Sequence, residues 1–182
     1  METNECIRGR RSIRRYDSRP ISKETIEEIV SLAACAPSWK NTQPARYTVI
    51  TDRALIERIA SECVLGFEHN AGILRGCAAL VVQSIVCKRS GYNRDGSFST
   101  SKGTHWESFD AGISAQTFCL AAWERGIGTC ILGVFDEDRT AEAIGLPDTQ
   151  SVSCMIPLGY PAEEPAMPPR KGVSDLLRYL EA

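Results

Sequence analysis

The sequence has no run approaching the ~20 apolar residues of a membrane-spanning helix, which argues against an integral helical membrane protein. It has only two histidines, His69 and His105, and none of its eight cysteines (positions 6, 35, 63, 77, 87, 119, 130 and 154) forms a C-x-x-C pair. A zinc site has no donor cluster to build on, so no metal is expected. The N-terminus, METNECIRGRRSIRRY, lacks the apolar stretch of a secretory signal. A disulfide framework is therefore not expected, although the cysteine count is even. Cys77 and Cys87 close the apolar run CAALVVQSIVC and read as small core residues. These absences point to a reducing cytoplasm and to no membrane partner. Internal repeats and low-complexity blocks are missing as well, and so is any Ser/His/Asp or paired-carboxylate pattern.

What is there is a 182-residue chain, 43% hydrophobic and 24% charged, which suits one globular domain over residues 1–182. Twenty-one Lys and Arg against twenty-three Asp and Glu leave a net charge of −2, too balanced for a protein that coats nucleic acid. The sum hides a bias. Sixteen of the basic residues are Arg, and six of them crowd into RGRRSIRRYDSR, residues 8–19, with Asp17 as the one acid. Three readings fit this segment: a nucleic-acid arm, a solvated charged stretch, or a pocket for one phosphomonoester, which guanidinium groups bind bidentately.

A second feature is APSWKNTQP, where Ser38, Asn41 and Gln43 lie between two prolines. Their donors and acceptors suit a heterocycle such as a flavin pyrimidine ring, or an ordinary capped turn. Trp39 either covers an aromatic ligand or simply packs.

Hydrophobic periodicity predicts a helix over 22–36, with Ser22 as N-cap and Pro37 as its stop, and a second capped by Asp52. Helices are also expected over 107–125, 136–144 and 173–180, the second of these ending at Gly145. The helix over 107–125 is apolar nearly all round, which places it centrally or at a subunit interface. Strands are expected at 47–51, 78–86, near 126–133 and at 152–158. Residues 88–104, rich in Gly and Ser, read as a mobile loop or lid. His105 and Trp106 follow it, either at a substrate entrance or in local packing. With no regular βαβ repeat, the fold class is α+β with a central sheet.

R-R-S-I-R at 10–14, P-S-x-x-N-x-Q-P at 37–44, a Gly-rich strand near 126–133 and a basic residue after prolines near 170 together resemble the FMN-dependent nitroreductase family over nearly the whole chain. The resemblance implies an antiparallel-rich sheet flanked by helices and an interlocked homodimer. Tightly bound, non-covalent FMN would lie at each interface. Arg10 matches the residue on the FMN phosphate. Arg11, Ser12 and Arg14 match residues along the ribityl chain and pyrimidine edge, with Arg14 supporting the reduced flavin. Pro37, Ser38 and Trp39 match the segment a partner subunit lays on the ring, with Asn41 and Gln43 alongside. Asn70 matches a ring-edge asparagine, or else caps a helix. Leu132 and Gly133 match the pair whose amides approach flavin N5, and Arg170, with Lys171, matches the C-terminal basic residue on the phosphate. Two departures stand out: Pro168 where some relatives carry a further basic residue, and Ile73 where some carry Lys.

The implied activity is ping-pong hydride transfer from NAD(P)H through flavin N5 to a nitroaromatic, a quinone or a similar small acceptor. No side chain is an obligatory acid or base. The alternatives are the same scaffold with another reaction, such as flavin destruction or reductive dehalogenation, and a non-enzymatic phosphate- or nucleic-acid-binding protein using Arg8–Arg19. The nitroreductase reading expects no nucleic-acid partner.

Overall fold

The computed structural model describes residues 1–180. Four antiparallel strands, β1 (Ala45–Ile50), β2 (Ala79–Val86), β3 (Gly128–Thr129) and β4 (Gln150–Gly159), form one sheet in the order β1-β2-β4-β3. Helices cover both faces. Along β2, Leu80 and Val82 enter a core with α3 (Arg53–Glu62), α4 (Glu68–Gly76) and α6 (Glu137–Ile144), while Ala79 and Val81 face α2 (Lys23–Ala33) and α5 (His105–Glu124). A strand buried on both faces has no polar side to alternate with, so β2 reads as a continuous apolar run. Gln83, fully buried, marks a register shift against β4, and its amide donates to Ser114 Oγ (2.7 Å) and Ala111 O (3.2 Å) of α5.

The expected caps are present. Ser22 Oγ accepts from Thr25 N (3.1 Å), Asp52 from Ala54 N (2.8 Å) and Asp136 from Arg139 N (3.0 Å), and Gly145 takes the left-handed conformation that ends α6. Other expectations need correction. The helix over 22–36 stops at Ala33, and the one over 173–180 shrinks to α7 (Val173–Leu176). One helix lacked a legible signal, and another was raised only through Asn70 as a possible cap. α1 (Thr3–Gly9) buries no residue, and the N-cap of α4, Phe67, offers no capping side chain.

Candidate functional site

Residues 12–16 extend the sheet beyond β3. Ser12 bridges Thr129, Ile13 N donates to Thr129 O (3.0 Å), and Asp17 N donates to Tyr160 O (2.9 Å). The Tyr16 hydroxyl lies 2.6 Å from Ile13 O and 3.1 Å from Pro157 O, and burial pushes its pKa upward. Two glycines permit this close approach. A Cβ on Gly128 would stand 2.6 Å from the Ile13 side chain, and one on Gly159 would stand 2.8 Å from Tyr16.

Alternate side chains of an extended segment face opposite ways, which divides the arginine cluster. Ile13 is buried. Arg11 folds onto the end of α1, where Nη1 donates to Arg8 O (2.7 Å) and Arg10 O (2.9 Å), and it lines a 340 Å³ concavity with Ile13, Trp123 and Glu163. Its side chain therefore does not join Arg10 and Arg14 as the motif suggested. Arg10, Ser12 and Arg14 approach Cys130. Burial pushes that thiol's pKa up, and the Arg14 charge, a Ser12 hydrogen bond and the Arg10 charge oppose the rise. Arg15, Arg19, Arg58, Arg75, Arg125 and Arg139 are all in ion pairs. Arg10 and Arg14 have no carboxylate partner among the described residues, so both charges remain available to a ligand.

The Leu132 assignment changes. Its amide is spent on Met155 O (2.8 Å) in the sheet. Gly133 is exposed, with open space where a Cβ would stand. Asn70 is neither exposed nor a cap. It lies inside α4, is 4% exposed, and donates to Val134 O (3.1 Å), so it holds the Gly133 segment in place. Ile73 is a core residue. Arg170 and Lys171 sit on the exposed tail, where Arg170 Nη1 donates to Pro168 O (3.2 Å).

The loop into β1 is stitched differently. Lys40, Asn41 and Gln43 adopt positive φ (46°, 56° and 46°), and for residues other than Gly such backbone costs about 1–2 kcal/mol each. Ser38 Oγ accepts from Gln43 N (2.9 Å), and Gln43 Nε2 donates to Asn41 Oδ1 (3.2 Å). Asp110, on α5 and 3% exposed, accepts from Trp39 N (2.8 Å) and from Ser90 Oγ (2.5 Å). Pro37, Ser38, Gln43, Tyr47, Asp110 and Ser114 lie round a 510 Å³ cavity beside the loop. A larger cavity of 730 Å³, between α2 and β1, contains none of the motif residues. The 88–104 segment carries a tight turn of its own, with a Tyr92–Phe98 bridge and Asn93 N donating to Ser97 O (2.8 Å). Trp106 packs against Trp39, with ring centres 4.6 Å apart and ring planes inclined at 51°.

The sequence reading missed Asp110. Its one signal was an acid inside a nearly apolar helix, which burial would force to find donors.

The two motifs occupy opposite edges of the sheet: 12–16 lies beyond β3, and 37–44 leads into β1. Four strand spacings separate them, roughly 19 Å. The donor set fits FMN chemically at the first edge, with two unpaired guanidinium groups, a hydroxyl and the open backbone of Gly133. The 37–44 loop stands at the other edge of the sheet from that donor set.

A family model described as the nitroreductase family matches residues 7–160. A Methanothermobacter thermautotrophicus protein, provisionally named an NADH dehydrogenase/NAD(P)H nitroreductase, is 31% identical over 169 residues, covering 91% of this chain and 80% of its own. An NADPH-flavin oxidoreductase of Vibrio harveyi is 28% identical over 171 residues, covering 92% of this chain and 69% of its own. Among solved structures, nitroreductase A of Vibrio parahaemolyticus superposes with a TM-score of 0.84 at 27% identity, covering all of this chain and 77% of that one. With a match over most of its length and the expected fold, the chain belongs to the nitroreductase family.

Proposed function

We propose that this NAD(P)H-dependent oxidoreductase works as a homodimer with one tightly, non-covalently held FMN at each of two shared sites. The observation that carries this reading is the placement of the two motifs on opposite sheet edges. One chain presents Arg10, Ser12, Arg14 and Gly133, and a second chain brings Pro37, Ser38, Trp39, Asn41 and Gln43 over the ring. The chemistry supplied on binding FMN is hydride exchange at N5, from NAD(P)H in one half-reaction and to a nitroaromatic, quinone or similar small acceptor in the other, in a ping-pong sequence.

The protein's part is binding, orientation and charge. Arg10 takes the phosphate. Arg14 lowers the cost of negative charge at the pyrimidine edge. Gly133 lets backbone approach N5, and Asn70 steadies it. Arg170 and Lys171 reach a phosphate when the tail folds over its partner. Met167, Val173, Leu176, Leu177 and Tyr179 are all exposed on that tail, an apolar load that a second chain would cover. The eight cysteines are free thiols. No helix among the described residues is long and apolar enough to cross a membrane.

Purified protein should be yellow and release one FMN per chain on heating. It should oxidise NADH or NADPH only when an acceptor is supplied. Protein that takes up no added FMN would refute the reading.

A further inference from the structure

The six cations on residues 37–46 and 88–104, namely Lys40, Arg46, Lys88, Arg89, Arg94 and Lys102, make no ion pair among the described residues, and Asp95 is the only acid on those two segments. The segments act as one body. Asp110 holds Trp39 N and Ser90 Oγ at once, the Thr42 and Ser90 hydroxyls lie 3.2 Å apart, and Trp39 packs against Trp106 in a tilted pair. Phe109 meets Trp106 edge-on at 5.3 Å and is 55% exposed. Lys40 Nζ lies 5.4 Å from the Trp39 ring centre, and Lys102 Nζ lies 5.6 Å from that of Trp106. The result is an aromatic surface flanked by two ammonium groups, where the six cations outnumber the three carboxylates on or against these segments, Asp95, Glu107 and Asp110.

We propose that this lip receives the electron acceptor and selects aromatic acceptors bearing a carboxylate or sulfonate over neutral ones of the same shape. The inference rests on the flavin reading above, in which residues 37–43 lie against the ring. A flat acceptor stacks by its π-face on one of these rings, and the neighbouring rings, inclined at 51° and 77° across the Trp39–Trp106 and Trp106–Phe109 pairs, border it. Its anionic group lies among ammonium groups already positioned over those rings. The surplus of positive charge raises the local concentration of anions, an effect that salt removes.

The test uses FMN-loaded, oxidised protein without nicotinamide, so that no electrons are available. It is titrated with 4-nitrobenzoate and with 4-nitrobenzamide, near-isosteres that differ in charge, while flavin absorbance and tryptophan fluorescence are followed. The benzoate should bind about tenfold more tightly at low ionic strength. The advantage should shrink to about twofold in 0.5 M salt, and Lys40→Glu/Lys102→Glu should abolish or reverse it. Equal affinities would overturn the proposal. So would a preference that survives both salt and the double charge reversal, or a variant that raises the KM for NADPH and leaves the acceptor ratio unchanged. If the protein binds no FMN, the flavin reading falls and this inference with it. If FMN binds and NAD(P)H is oxidised without charge discrimination, this inference alone falls.

Discussion

The two edges of the sheet carry the two halves of the proposed site, and they are built by different means. At the β3 edge, backbone does the positioning: residues 12–16 pair with the sheet, Gly128 and Gly159 leave room, and the strand pleat turns Arg10, Ser12 and Arg14 to one side. At the β1 edge the backbone is strained, and side chains do the positioning, Ser38 within the loop and Asp110 from α5. A half fixed by backbone tolerates side-chain change but not a bulkier glycine. A half fixed by one buried carboxylate depends on that carboxylate.

The largest effect should come from breaking the first edge. In Gly128→Val, side-chain atoms would have to occupy space held by Ile13, displacing the arginine segment. We expect a loss of roughly 2–4 kcal/mol in chemical denaturation together with loss of bound FMN. A Gly128→Val protein of unchanged stability that retains FMN would show that the close approach is not what positions the arginines.

Removing charge without moving backbone is gentler. Arg10→Ala should weaken FMN binding by roughly 10- to 100-fold, as loss of a charged hydrogen bond to phosphate does. Unchanged affinity by fluorescence titration would remove the phosphate assignment. Arg14→Ala should lower the flavin potential by about 30 mV for each tenfold weakening of its bias toward the reduced state. An unmoved potential in a spectroelectrochemical titration would count against a pyrimidine-edge role.

At the second edge, Asp110→Asn keeps the size but weakens two charge-assisted hydrogen bonds, at a cost of about 1–3 kcal/mol. The expected signature is local: altered fluorescence of the Trp39–Trp106 pair and a higher acceptor KM. If only the melting temperature falls, Asp110 serves the core and not the loop.

The smallest effect concerns pH. Hydrogen bonding from Arg14 N (2.7 Å) and the Arg15 side chain (3.0 Å) holds the Glu163 carboxyl below its usual range. Its folded-state pKa is depressed, so the stability it contributes is present above the unfolded value of about 4.3 and is lost as pH falls through the folded one. Thermal melts of Glu163→Gln should converge with those of the parent at acid pH and separate above it. A constant gap across the range would mean the ionised carboxylate contributes nothing.

Much of the architecture was legible because its signals are local. Ser22, Asp52 and Asp136 announce helix starts, and β2 announces burial by being apolar throughout. α4 was only half legible: Asn70 suggested a helix cap, but the helix starts earlier, at Glu68, after Phe67, which offers no capping side chain. The candidate residues of the proposed site could be named from the two motifs. Their division between opposite sheet edges could not, since strand order depends on long-range pairing. Arg11 and Leu132 were misjudged for a related reason: a motif shows which residue is present, not which backbone group the sheet or a helix end has already taken.

In the proposed homodimer each FMN site draws its arginines from one chain and its covering loop from the other. Mixing settles it. An Arg10→Ala/Arg14→Ala chain and a Trp39→Ala/Asn41→Ala chain should each retain little FMN as homodimers. Co-refolded or co-expressed, they should form heterodimers in which one site pairs intact arginines with an intact loop. Counting bound FMN on the isolated heterodimer should therefore give one per dimer. A heterodimer with none, while both chains fold and associate, would contradict the shared site.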